Sequence, residues 1–133
     1  MVTRLWIYIV LLFQYFRTSP NHCLLKIRNL FCFIAEPPDL DPIKFGKDIF
    51  DEGSSAQILC SVSAGDEPLT ITWSFHGNDI SSDSSGIVTS NFGSKTSFLM
   101  INSVNQGHRG LYTCLAKNKA GSATSTAELK VNG

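Results

Sequence analysis

From Ser54 onward, apolar and polar residues alternate with a period of two over short runs. In SSAQILCSVS, Ile58, Cys60 and Val62 fall on one side. In LTITWSF, Leu69, Ile71, Trp73 and Phe75 face Thr70, Thr72 and Ser74 across the strand. TSFLMIN places Leu99 and Ile101 together, LYTCLAK places Tyr112, Cys114 and Ala116, and STAELKV places Ala127, Leu129 and Val131. Strict alternation predicts half-buried strands, because successive side chains of a strand point to opposite faces. Glycine or proline punctuates the chain between most of these runs, at Gly53, Gly65, Pro68, Gly77, Gly86, Gly93, Gly107, Gly110 and Gly121. Many short strands at near-regular spacing predict an all-β sandwich or barrel. No window carries a convincing helical face.

Charge divides the chain in two. Met1 to Ala35 holds four basic residues (Arg4, Arg17, Lys26, Arg28) and no acid. The remainder holds seven basic and eleven acidic residues, a net charge of −4. Nucleic-acid binding needs clustered Lys and Arg, and none occur, so that partner is excluded. The start, with Arg4 ahead of the apolar run LWIYIVLLF, has the layout of a secretory leader and is too short to span a bilayer. Residues 1–35 are therefore expected to be a leader and residues 36–133 the folded domain. An A-x-A cleavage site is missing, and a mitochondrial presequence is also acid-poor and Arg-bearing. No later stretch is apolar enough for a transmembrane helix, so membrane attachment is expected only through a part downstream of Gly133.

Four cysteines occur: Cys23, Cys32, Cys60 and Cys114. The last two fall on inward faces of predicted strands. Trp73 follows Cys60 on the next strand, and Tyr112 stands two residues before Cys114. That order is the immunoglobulin signature. It implies one disulfide pinning two sheets, with the indole filling the space beside it and the tyrosine hydroxyl bonded back to the backbone at a corner. A bridge closing about 55 residues contributes about 4 kcal/mol by chain entropy. Metal or redox use of these cysteines is the alternative, but no C-x-x-C or other metal-ligand spacing exists. A structural disulfide wants an oxidising compartment, which supports a secreted or cell-surface address.

On Cys60, Trp73, Leu99-x-Ile101, Gly110-x-Tyr112-x-Cys114 and Ala116-x-Asn118-x-x-Gly121, residues 36–131 resemble an I-set immunoglobulin domain. GDEPLTITWSFHG and GHRGLYTCLAKNKAG are similar to strings of the Down syndrome cell adhesion molecule (Dscam) family. The resemblance implies a Greek-key β-sandwich, Trp73, Leu99, Ile101 and Tyr112 as core, and adhesion to an identical domain on an opposing cell. Following a leader directly, the domain would be the first of its receptor. Heterophilic or immune pattern recognition and a structural role, as in muscle I-set arrays, are the alternatives. One position departs from the family. Many I-set domains carry an Asp four residues before the tyrosine, salt-bridged to a basic residue near strand D. His108 stands there, and Ile87, Val88, Thr89 and Ser90 occupy the other side. The pair is expected to be lost, with His108 an ordinary turn histidine or else a pH-sensitive contact.

Catalytic chemistry is not encoded. His22, His76 and His108 accompany no G-x-S-x-G string. Asp79, Ser81 and Asp83 have calcium-loop spacing but lack the Gly and acid that complete the loop. No phosphate-cradling loop occurs, and no N-x-S/T sequon follows Glu36. No cofactor, metal or small-molecule substrate is expected. Function must then lie on a surface. If Cys60, Leu99 and Ile101 point inward, Leu59, Phe98 and Met100 point out. In this fold the strands that carry them share a sheet, so all three are candidate interface residues for a protein partner.

Overall fold

The computed structural model describes residues 23–25, 32–80 and 85–133. Most of the expected leader, and Ser81 and Asp83, lie outside them. The chain divides into two compact units at Ala35. In the first, β1 (Cys23–Leu25) pairs antiparallel with β2 (Cys32–Ile34).

The second unit, Glu36–Gly133, is built of strands. They are β3 (Asp39–Leu40), β4 (Phe50–Asp51), β5 (Ala56–Ala64), β6 (Thr70–Phe75), β7 (Asn78–Asp79), β8 (Ile87–Phe92), β9 (Thr96–Ile101), β10 (Gly110–Lys117), β11 (Ser122–Leu129) and β12 (Val131–Asn132). One sheet has the order β3-β5-β9-β8 and the other β11-β10-β6-β7. The chain changes sheets between β5 and β6, between β7 and β8, and between β9 and β10, as in a Greek-key immunoglobulin sandwich. The all-β immunoglobulin-like reading holds.

The alternation read from sequence sets the burial. Along β5, Ala56, Ile58, Cys60 and Val62 are buried and the residues between them are not. Along β10, Tyr112, Cys114 and Ala116 are buried. The two inner faces close on Ile58, Trp73, Leu99, Ile101, Tyr112 and Leu129, with Phe45 and Phe50 sealing one end. Phe45 meets Tyr112 edge-on at 5.6 Å and Phe50 at 6.0 Å. The first strand is split. β3 pairs with β5, but past Pro42 the Ile43 amide donates to Ser125 Oγ on β11 (3.0 Å), and β4 runs parallel to β12. Pro42, with no N–H to offer, sits where the chain leaves one sheet for the other.

Candidate functional site

The central constellation is mechanical. β5 and β10 lie in different sheets, and the Cys60–Cys114 disulfide joins them across the core, with 6.4 Å between Cα atoms. Cys114 stands opposite Trp73 in the β10–β6 register, so the indole packs beside the bridge. Leu99 and Ile101 are fully buried on β9. Trp73 is also held by a bond that the alternation did not foretell. Its Nε1 donates to Ser97 Oγ at 2.9 Å, and Ser97 is fully buried.

Tyr112 closes the corner before β10. Its hydroxyl donates to the His108 carbonyl at 2.7 Å, and burial pushes the phenol well above its ordinary range. His108 itself is not the ordinary turn histidine expected above. It is 4% exposed and ends a 3-10 turn, Gln106–His108. The Asn105 amide donates to its Nδ1 (3.0 Å), while its Nε2 lies 2.7 Å from the Ser85 carbonyl. An acceptor at Nδ1 and a donor at Nε2 define one neutral tautomer. The missing salt bridge is thus replaced by a neutral clasp to the backbone ahead of β8. No lysine or arginine is needed there, because the partner is a carbonyl.

The outward side of the β3-β5-β9-β8 sheet is apolar. Leu59 stands directly opposite Phe98, and Met100 lies one pair further along β9 opposite Gln57. Leu59 is 45% exposed and Met100 41%, while Phe98 is half-buried. β8 extends this patch with two residues the sequence reading did not select. Val88 stands opposite Met100 and is 44% exposed, and Phe92, 61% exposed, meets Phe98 edge-on at 5.1 Å. The polar residues between them, Gln57, Ser61, Ser90 and Thr96, carry no charge. Alternation in IVTSNF already marks Val88 and Phe92 as neighbours on one face.

On the opposite sheet Leu115 is half-buried between the Thr113 and Lys117 positions. A shallow cleft between β6, β7 and β8 is lined by Ile71, Trp73, Asp79, Thr89 and Asn91. Among the described residues no hydrogen bond joins Asp79 to the hydroxyls of Thr72, Thr89 or Ser90 that share this cleft. His76 sits at the end of β6 against Phe75, with Nε2 at 3.4 Å from the Arg109 carbonyl.

Comparison with known proteins agrees with this geometry. Residues 44–131 match the immunoglobulin I-set domain family. The chain is 41% identical over 99 residues to the cell adhesion molecule Dscam1 of Drosophila melanogaster, covering 74% of this chain and 5% of that protein. It is 37% identical over 98 residues to the cell adhesion molecule DSCAM of Homo sapiens, again covering 74% of this chain and 5% of the relative. Among solved structures, the Ig7 domain of Dscam1, isoform 5, superposes with a TM-score of 0.70 at 44% identity, covering 72% of this chain and 97% of that one. A titin I-band fragment, I67–I69, reaches 0.63 at 30% identity over 71% of this chain and 32% of the fragment. The chain spans only about a twentieth of its curated relatives, which are cell adhesion molecules and not enzymes. With the inter-sheet disulfide, the buried tryptophan, the tyrosine corner and a matching family pattern from residue 44 to 131, the chain belongs to the immunoglobulin I-set family, in a group related to the Dscam cell adhesion molecules.

Proposed function

We propose that this domain is an extracellular adhesion module that binds a second copy of itself on an opposing cell. The contact is the outer face of the β3-β5-β9-β8 sheet, through Leu59, Phe98 and Met100. The observation that carries the proposal is the uncharged apolar cluster these residues form with Val88 and Phe92. Contiguous exposed apolar surface of this kind marks interaction sites. A two-fold pair presents the same patch on both partners, and a patch without charge meets its own copy without repulsion. The disulfide favours an oxidising, extracellular setting over a load-bearing role in the cytosol.

The unit Glu36–Gly133 holds its core and its disulfide, and the match to the Dscam1 Ig7 domain covers 97% of that solved chain, a single domain of this kind. Sedimentation of the oxidised unit over a wide concentration range tests the proposal. The expected result is a concentration-dependent self-association that Phe98→Asp weakens. Self-association that survives Phe98→Asp unchanged would place the contact elsewhere.

A further inference from the structure

β8 is the edge strand of its sheet, and among the described residues it carries none of the charge, proline or shortness that keeps edges from pairing. The other edges have them. β3 is two residues long, carries Asp39 and is flanked by Pro37, Pro38 and Pro42. β7 is two residues long and carries Asp79. β11 carries Glu128, and its free side is met by the chain at Ile43. β8 runs six residues, IVTSNF, with no charge and no proline.

The register shows which backbone groups this edge offers. Val62 N–H donates to the Lys95 carbonyl at 2.8 Å, and Asp41 N–H donates to the Ser61 carbonyl at 3.0 Å. Even-numbered residues of β5 therefore bond toward β9, and odd ones toward β3. Carried through the β5–β9 and β9–β8 registers, Thr96, Phe98 and Met100 bond toward β8 and meet Phe92, Ser90 and Val88. Ile87, Thr89 and Asn91 are left with N–H and C=O pointing off the sheet. Among the described residues none of these groups has a hydrogen-bond partner.

We infer that β8 pairs antiparallel with β8 of a second copy of this chain, about a two-fold axis through Ser90. That centring places Thr89 opposite Asn91 of the copy, twice, each pair exchanging both of its backbone bonds. It also places Val88 opposite Phe92 of the copy, twice, in the close non-hydrogen-bonded positions where β-branched and aromatic side chains pack best. Shifting the axis to Thr89 would set Val88 against Ser90 and Phe92 against Gly86. The occupant is a copy because the strand is complementary to itself reversed. β8 itself also brings no charged side chain against its copy, in a domain whose net charge is −4. The axis is perpendicular to the sheet, so the apolar outer faces of both copies point the same way and form one surface. The pair is side by side and does not rest on the face-to-face contact proposed above.

A cysteine cross-link tests it. In this pair the two Ser90 Cα atoms are about 4.5 Å apart, within the span of a disulfide. Ser90→Cys in the oxidised Glu36–Gly133 unit is expected to give a covalent dimer, while Ser122→Cys, exposed on β11, stays monomeric. Asn91→Pro removes one outward N–H without touching the β9 ladder, and is expected to cut the Ser90 cross-linking yield about tenfold. Leu59→Asp, on the outer face two strands away, is expected to leave that yield unchanged. No cross-link above the Ser122 control, or a cross-link indifferent to Asn91→Pro, overturns the edge pairing. Loss of the cross-link with Leu59→Asp overturns its independence and leaves the face contact as the association. The face contact fails separately if neither Leu59→Asp nor Phe98→Asp alters sedimentation.

Discussion

Trp73 donates its indole N–H to the hydroxyl of Ser97, 2.9 Å away and out of reach of water. The bond joins β6 of one sheet to β9 of the other, alongside the disulfide that does the same for β5 and β10. A buried indole N–H without an acceptor keeps its full desolvation penalty. Ser97→Ala is therefore expected to cost about 1–3 kcal/mol, more than a surface Ser→Ala change. Urea unfolding of the oxidised domain measures it. Adding Ser97→Ala to a Trp73→Phe background should cost much less, since the orphaned donor is gone. A Ser97→Ala variant within about 0.5 kcal/mol of the parent would show that the bond contributes little.

His108 predicts a tautomer and an asymmetry. Its ring accepts from the Asn105 amide and donates to the Ser85 carbonyl, so nitrogen NMR should find the proton on Nε2. His108→Asp restores the residue type common in the family and should nonetheless destabilise. A carboxylate can still accept from Asn105 but has no proton for Ser85, and it faces that carbonyl across a buried space. The expected cost is about 2 kcal/mol, or roughly 8–16 °C in Tm for a domain of this size. An unchanged Tm would mean the clasp to Ser85 contributes nothing.

Tyr112 sets the alkaline limit. Its phenol is raised in the folded state by burial, while the unfolded chain titrates near 10. Its stabilising contribution is complete below pH 10, where both states hold the proton. Above pH 10 the unfolded chain gives up that proton and the folded one keeps it, so stability falls by about 1.4 kcal/mol per pH unit from this group. Tyr112→Phe should lower stability at neutral pH by about 1 kcal/mol through the lost bond to the His108 carbonyl. It should also flatten the decline between pH 10 and 12. Equal slopes for the two proteins in that window would rule out Tyr112 as the titrating group.

The strands were legible because period-two alternation can be read within one short run, and the disulfide because the Cys60, Trp73, Tyr112, Cys114 order is a pattern of side-chain identities that survives the 54-residue separation of the cysteines. What escaped depends on contacts across the fold. Ser97 looks like any polar residue beside Phe98, since its indole partner lies 24 residues back in the other sheet. His108 reads as a turn residue because the carbonyl it clasps is 23 residues away and belongs to backbone, which leaves no mark in side-chain identity. β8 misleads for another reason. Its inward positions are Ile87, Thr89 and Asn91, and its outward ones include Val88 and Phe92, so polarity runs partly against burial. The inverted residues are those that extend the candidate contact face, as expected where a surface is shaped for a partner and not for water.

Asn118 ties three segments together at one pole of the domain, and a test by shape alone would misjudge it. Its Nδ2 donates to the carbonyls of Glu36 (2.7 Å) and Asp66 (3.0 Å), and its Oδ1 accepts from the amides of Ala120 (2.9 Å) and Gly121 (3.0 Å). Glu36 begins the unit, so this amide fixes where the chain enters it. The site is half-buried, and Asn118→Ala should cost about 1–2 kcal/mol. Asn118→Asp preserves the outline and both accepted bonds, yet it should cost more at neutral pH. A carboxylate oxygen then replaces the donor and faces two carbonyl oxygens. Protonation restores one donor, so the deficit of Asn118→Asp relative to Asn118→Ala should shrink as pH falls below about 4. Thermal unfolding of both variants at pH 7 and pH 3.5 separates the cases. If Asn118→Asp is the more stable of the two at pH 7, the donor half of the side chain is not what holds Glu36 and Asp66 in place.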